Sequence, residues 1–95
     1  MTTMYLEIVS PEATLYAGEI TAVSAPGLDG SFQVLSAHAP LVASLQAGEL
    51  KLQGVSELIE AHAAKFSALE KGVYTLSVHS GTLEVKNNKI IVLAD

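Results

Sequence analysis

Apolar residues recur along this chain with a period of two, in short runs bounded by glycine, proline, asparagine or serine. That is the pattern of antiparallel strands with one buried face. The first run, Met4–Val9, stops at Ser10-Pro11, because proline has no N–H to give a ladder. Residues 19–25 follow Gly18 and end at Pro26-Gly27, a dipeptide suited to a type II turn. Residues 31–35 and 41–45 flank His38-Ala39-Pro40, and residues 49–53 follow Gly48. Toward the end, residues 74–79, 82–86 and 89–93 alternate again, and Asn87-Asn88, which tolerates positive φ, predicts a tight hairpin between the last two. About eight to ten short strands at this spacing predict a mainly β fold, an antiparallel β-sandwich of two sheets.

Residues 54–72 break the period. Val55, Leu58, Ile59, His62, Ala63, Phe66 and Leu69 fall at helical spacing, with Glu57 and Glu60 early, Lys65 and Lys71 late, and Gly72 as a stop. The spacing predicts an amphipathic helix or helical excursion over residues 56–71. The other reading is a wide hairpin with alanine-rich strands; Ala61, Ala63, Ala64 and Ala68 favour the helix, since alanine is depleted in strands.

A chain of 95 residues makes one domain, expected over 1–95. At 49% hydrophobic residues it is too apolar for disorder. Its 16% charged residues fall below the roughly 25% usual for soluble domains, which points to a surface partly covered by partners. Ten acidic residues face five lysines and no arginine, for a net charge of −5. Nucleic acid and anionic lipid are poor partners for such a chain, because both demand clustered cations. It has no cysteine, hence neither disulfide nor thiolate chemistry. Residues 1–9 carry no cationic start and are broken by Glu7, unlike a secretory signal. The apolar run at residues 90–94 is far short of the roughly 20 residues of a membrane span, so membrane association is expected only through another protein.

Candidate chemistry is sparse. His38, His62 and His79 lack metal-ligand spacing. They read instead as a residue pinning its loop, a helix-surface residue and a strand residue beside a turn. No serine sits in a G-x-S-x-G elbow, and Ser80-Gly81 reads as a turn. Glu57 and Glu60 fall on a solvated face. Gly27 and Gly30 lead into a strand rather than a helix, so their loop lacks the helix N-terminus that cradles phosphate. Neither a catalytic site, a metal nor a cofactor is expected.

Several features, taken in order, carry a family resemblance. They are Val9-Ser10-Pro11-Glu12, Gly18 before a strand, the Gly27/Gly30 loop, His38-Ala39-Pro40-Leu41, Gly48, Leu83-Glu84-Val85 and the closing Val92-Leu93-Ala94-Asp95. Over residues 5–52 and 74–95 the chain resembles the N-terminal β-sandwich domain of the epsilon subunit of F-type ATP synthases. The resemblance implies a non-catalytic subunit of the central stalk. Such a subunit packs against the gamma subunit and rests on the polar loops of the c-ring, coupling rotation to proton- or sodium-driven ATP synthesis. It would lie on the cytoplasmic face of a bacterial inner membrane, held there through the complex. Carried over by position, gamma contact falls on Ser10, His38, Ala39, Pro40, Leu41, Val42 and Ala43, and c-ring contact on Gly27, Leu28, Asp29, Gly30 and Ser31. The family often has an acidic residue where this chain has Ser31; Asp29 is the neighbouring carboxylate. Strand alternation sends one of Leu41 and Val42 into the core. If the chain is complete, it resembles the short form without the two-helix hairpin, and regulation by that hairpin is not expected. A ligand- or carbohydrate-binding sandwich is the alternative, with few aromatics to line a site.

Overall fold

The computed structural model describes residues 3–95. Residues 1 and 2, where the expected domain and the region read as unlike a signal begin, lie outside the described residues. Ten strands are present among the described residues: β1 (Met4–Val9), β2 (Thr14–Ile20), β3 (Ala22–Gly27), β4 (Gly30–Leu35), β5 (Leu41–Leu45), β6 (Gly48–Gln53), β7 (Phe66–Glu70), β8 (Val73–Val78), β9 (Gly81–Lys86) and β10 (Lys89–Ala94). They follow one hydrogen-bonded path, β2-β1-β10-β9-β5-β3-β6-β8-β7, with β4 pairing β3 beside it. The path curls into two halves, β2-β1-β10-β9-β5 and β4-β3-β6-β8-β7, joined in the ladder at one pair, Gly27 with Leu45.

Alternation builds the core between the halves. In β1, Met4, Leu6 and Ile8 are buried while Tyr5, Glu7 and Val9 face outward. Their inward row joins Leu83, Ile90 and Val92 from the same half and Val23, Leu50 and Leu52 from the other in one hydrophobic cluster. Each such side chain, fully buried, contributes roughly 1.5–3 kcal/mol.

Several boundaries differ from the sequence reading. The strand expected at residues 19–25 is two strands, because the chain changes halves at Thr21, whose N–H and hydroxyl both donate to the Gln53 carbonyl at 2.9 and 3.2 Å. Most of β2 escaped the alternation test for a local reason: the register shifts between Ile8 and Val9, so the adjacent Leu15 and Tyr16 are both buried. Gly18 therefore lies inside a strand, not before one. Pro26 and Gly27 end β3 rather than forming the turn, which moves to Leu28-Asp29. Pro26 still takes part in the ladder through its carbonyl, which accepts from the Gln46 N–H at 2.8 Å. The sheet is also not wholly antiparallel: β1 runs parallel to β10, so the first and last strands are brought side by side by everything between them.

The helical excursion is real but small. Only Glu60–Lys65 winds, as a 3-10 helix with no buried residue. Phe66–Glu70 forms β7 against β8 instead, which is the alanine-bearing hairpin strand of the other reading. The helix cannot continue, because Phe66 is drawn into the core and Ser67 and Ala68 pair with Thr75 and Tyr74; tertiary pairing overrides alanine's preference.

The hairpin β9–β10 turns as predicted, with Asn87 at φ 52° and Asn88 at φ 62°. At its other end, a Cβ on Gly81 would stand 2.2 Å from the Leu93 carbonyl oxygen. Gly81→Ala should therefore lower stability by about 2–3 kcal/mol, read as a fall in the denaturant midpoint. Tyr16 offers a second test. Burial chiefly, with the neighbouring Tyr5, raises its pKa above the ordinary 10.0, and its hydroxyl donates to the Glu19 carbonyl at 3.2 Å. Since the folded value is the higher one, the associated stability is present below about pH 10 and is lost as pH rises through the folded value. Tyr16→Phe should make the denaturant midpoint fall less between about pH 9 and about pH 11 than in the wild type.

Candidate functional site

Register places the outward side chains of the first half in rows. One row reads Glu19, Tyr5, Lys89, Lys86; the next Ala17, Glu7, Ile91, Glu84, Val42; the third Thr14, Val9, Leu93, Thr82, Ser44. Apolar side chains stand on this face at Val9, Ile91 and Leu93 and, on the edge strand β5, at Val42, with Val42 73% and Leu93 50% exposed. Charge divides around them. Glu7 and Glu84 flank Ile91, while Lys86 and Lys89 oppose each other directly across β9 and β10, an unfavourable like-charge pairing. Lys89 partly relieves it by lying over the Tyr5 ring, 5.7 Å from the centroid.

The residues carried over for gamma contact frame this face rather than cluster on it. Ser10 stands past the end of β1, where its hydroxyl donates to the Ala13 carbonyl at 3.1 Å and accepts from the Ala13 N–H at 3.2 Å, closing the β1–β2 turn. His38, Ala39 and Pro40 are exposed, beyond the opposite end of β5. The His38 Nδ1 lies 2.7 Å from the Ala39 carbonyl, so that nitrogen holds the proton and pins the loop. Of the next three residues, Val42 points out, whereas Leu41 packs against the core and Ala43 pairs with the inward Leu83.

The c-ring set forms the tip of the β3–β4 hairpin. Gly27 is buried, while Leu28, Asp29, Gly30 and Ser31 are exposed, and Leu28 is 62% so. Gly30 takes φ +122°, which a side chain rarely adopts. This tip and β5 share a groove of about 360 Å³ lined by Gly27, Leu28, Asp29, Gly30, Phe32 and residues 41–44. Residues 41–43 of one expected set and 27–30 of the other thus border one groove, while Ser10 lines a separate recess with Leu45.

Sequence reasoning missed four contributors. Ile91 and Leu93 belong to an unbroken apolar run in β10, and such a run has both faces covered; that was the available signal. Asn88 is more than a turn residue. Its Oδ1 accepts from the Ala37 N–H at 2.8 Å and its Nδ2 donates to the Thr3 carbonyl at 2.9 Å, tying the His38 loop to β1. Gln46 had no signal in the sequence. Its Nε2 donates to the Gly27 carbonyl at 2.9 Å.

Among the described residues, no three His, Asp or Glu side chains gather into a metal-binding group. A recess of about 620 Å³ lies at the Ser10 end between Pro11, Leu45, Ser80, Thr82 and Asp95. Its Ser80 hydroxyl is already donated to the Asp95 carboxylate at 3.0 Å.

Residues 3–95 match the family described as ATP synthase, Delta/Epsilon chain, beta-sandwich domain. This chain belongs to that family. The ATP synthase epsilon chain of Chlorobium limicola is 37% identical over 90 residues, which is 95% of this chain and 86% of that one. That of Desulforamulus reducens is 40% identical over 93 residues, 98% of this chain but 59% of its own length. A solved chain of the Euglena gracilis mitochondrial ATP synthase, OSCP/F1/c-ring, superposes with a TM-score of 0.73 at 15% identity, covering 99% of this chain and 51% of that chain. One from the Tetrahymena thermophila central stalk and c-ring gives 0.70 at 15% identity, over 98% and 63%. At such identity the likeness is one of fold. For this member of the delta/epsilon family, the curled sheet is thus the family's β-sandwich. No helix among the described residues is long and apolar enough to cross a membrane.

Asn88→Gly keeps the turn's positive φ and removes only the side-chain ties. It should lower stability by about 1–2 kcal/mol and raise the exchange rate of the Ala37 amide, read by hydrogen exchange.

Proposed function

We propose that the chain is the epsilon subunit of an F-type ATP synthase central stalk, joining gamma to the c-ring so that rotation driven by proton or sodium flow reaches the catalytic head. It performs no catalysis itself and needs no cofactor, and it works at the cytoplasmic face of a bacterial inner membrane, held there by its partners. The observation that carries this reading is the apolar outer face of Val9, Leu93, Ile91 and Val42 on a domain of family-typical fold. Exposed apolar side chains gathered on one face and bordered by charge mark an interaction surface.

Gamma contact is assigned to that face together with Ser10 and the loop and strand from His38 through Ala43. A carboxylate on gamma opposite Lys86 and Lys89 would relieve their mutual repulsion. The c-ring contact is assigned to Gly27, Leu28, Asp29, Gly30 and Ser31. Asp29 supplies the charge there, and the apolar Leu28 beside it suits a contact that must persist under load. The sugar-binding alternative wants an aromatic platform. Tyr5 alone of the aromatic side chains is exposed, and Lys89 already covers it.

Mixing the protein with folded gamma from the same organism should give a stable one-to-one complex on size exclusion, and absence of that complex would sink the reading. Val42→Asp, at an exposed edge position, should weaken gamma binding by about tenfold or more while moving the thermal midpoint by only a few degrees.

A further inference from the structure

We propose that Gln46 is a positioning residue that locks the ring-facing hairpin to the gamma-facing strand, so that the two contacts move as one body. This rests on the two contact assignments above, but its structural part stands without them. The two halves of the sheet meet in the ladder at one pair only, Gly27 with Leu45. A single pair is a hinge unless something braces it. Three hydrogen bonds hold that corner: the two backbone bonds of the pair itself, Gln46 N–H to the Pro26 carbonyl at 2.8 Å and Leu28 N–H to the Ser44 carbonyl at 3.1 Å, and one side-chain bond added to them, Gln46 Nε2 to the Gly27 carbonyl at 2.9 Å. Two of the three come from Gln46, and only one of those depends on the identity of its side chain.

The side chain is exposed and contributes nothing to the core. Holding it in one rotamer against solvent costs side-chain entropy, so the fixed donor has to be explained by what it holds. It holds Gly27, the residue from which the tip departs. That glycine has no slack on its other side: a Cβ there would lie 2.8 Å from both the Gly30 carbonyl oxygen and the Phe32 ring. The tip is therefore clamped between Phe32 and Gln46. A force on Leu28 or Asp29 passes through the Gly27 and Ser44 carbonyls into β5, two residues from Val42.

Three variants separate this role from mere stability. Gln46→Ala removes the donor, Gln46→Glu keeps the shape but presents an acceptor to a carbonyl, and Gln46→Lys restores a donor of similar reach. In the free protein, Ala and Glu should speed exchange of the Leu28 amide by about tenfold, with the Leu6 amide unchanged, and Lys should restore protection. In the reconstituted synthase, gamma affinity should stay within about twofold for all three. The number of ions pumped per ATP hydrolysed should fall for Ala and Glu and recover for Lys. Unchanged Leu28 exchange in Gln46→Glu would overturn the brace itself. Faster exchange with undiminished pumping would overturn its part in coupling. A wild-type chain that never joins gamma would instead remove the functional reading and leave the brace to be judged by exchange alone.

Discussion

The pairing of Gly27 with Leu45 is the constraint on which the rest of the molecule depends. A sheet of ten strands can bury its apolar face only by folding over itself, and the fold-over has to happen somewhere in the ladder. Here it happens where β5 passes β3, and the chain around that pair is arranged for close approach. Gly27 has no room for a side chain, Pro26 offers only its carbonyl, and Gln46 bridges both. From this corner the two halves face each other, and their inward rows make one core without a helix or a disulfide to assist.

The same corner decides what the surface can do. Because β5 is an edge of one half and lies beside the β3–β4 hairpin of the other, residues 41–44 border a groove with the hairpin tip. The two proposed contact regions thus become adjacent through strand geometry alone. The outer face lies on five strands, four of them from the two ends of the sequence, held together by the parallel pairing of β1 with β10. Its composition departs from ordinary solvent-exposed sheet, and its charges are placed in rows rather than scattered.

Much of this was legible in the residues. Alternation located β1, β4, β5, β6, β8, β9 and β10 nearly to the residue, and Asn87-Asn88 named its own turn. The glycine tip and the His-Ala-Pro-Leu turn stood out as unusual before any fold was known. What alternation could not report was a register shift, because a bulge puts two consecutive side chains inside, as at Leu15 and Tyr16. Nor could it report a strand that changes halves, because Thr21 looks like any strand residue. Helical spacing over residues 56–71 was a genuine local preference that lost to pairing with β8.

The sequence by itself determined that this chain would be a small sandwich of short strands, acidic and with no cysteine, because period, turn residues and composition are local properties. Only the tertiary structure decided that Gln46 braces the hairpin, that Asn88 holds the His38 loop, and that Ile91, Leu93 and Val42 share one face. Each of these joins residues far apart in the chain, through hydrogen bonds and register that exist only once the sheet has curled and closed on its core.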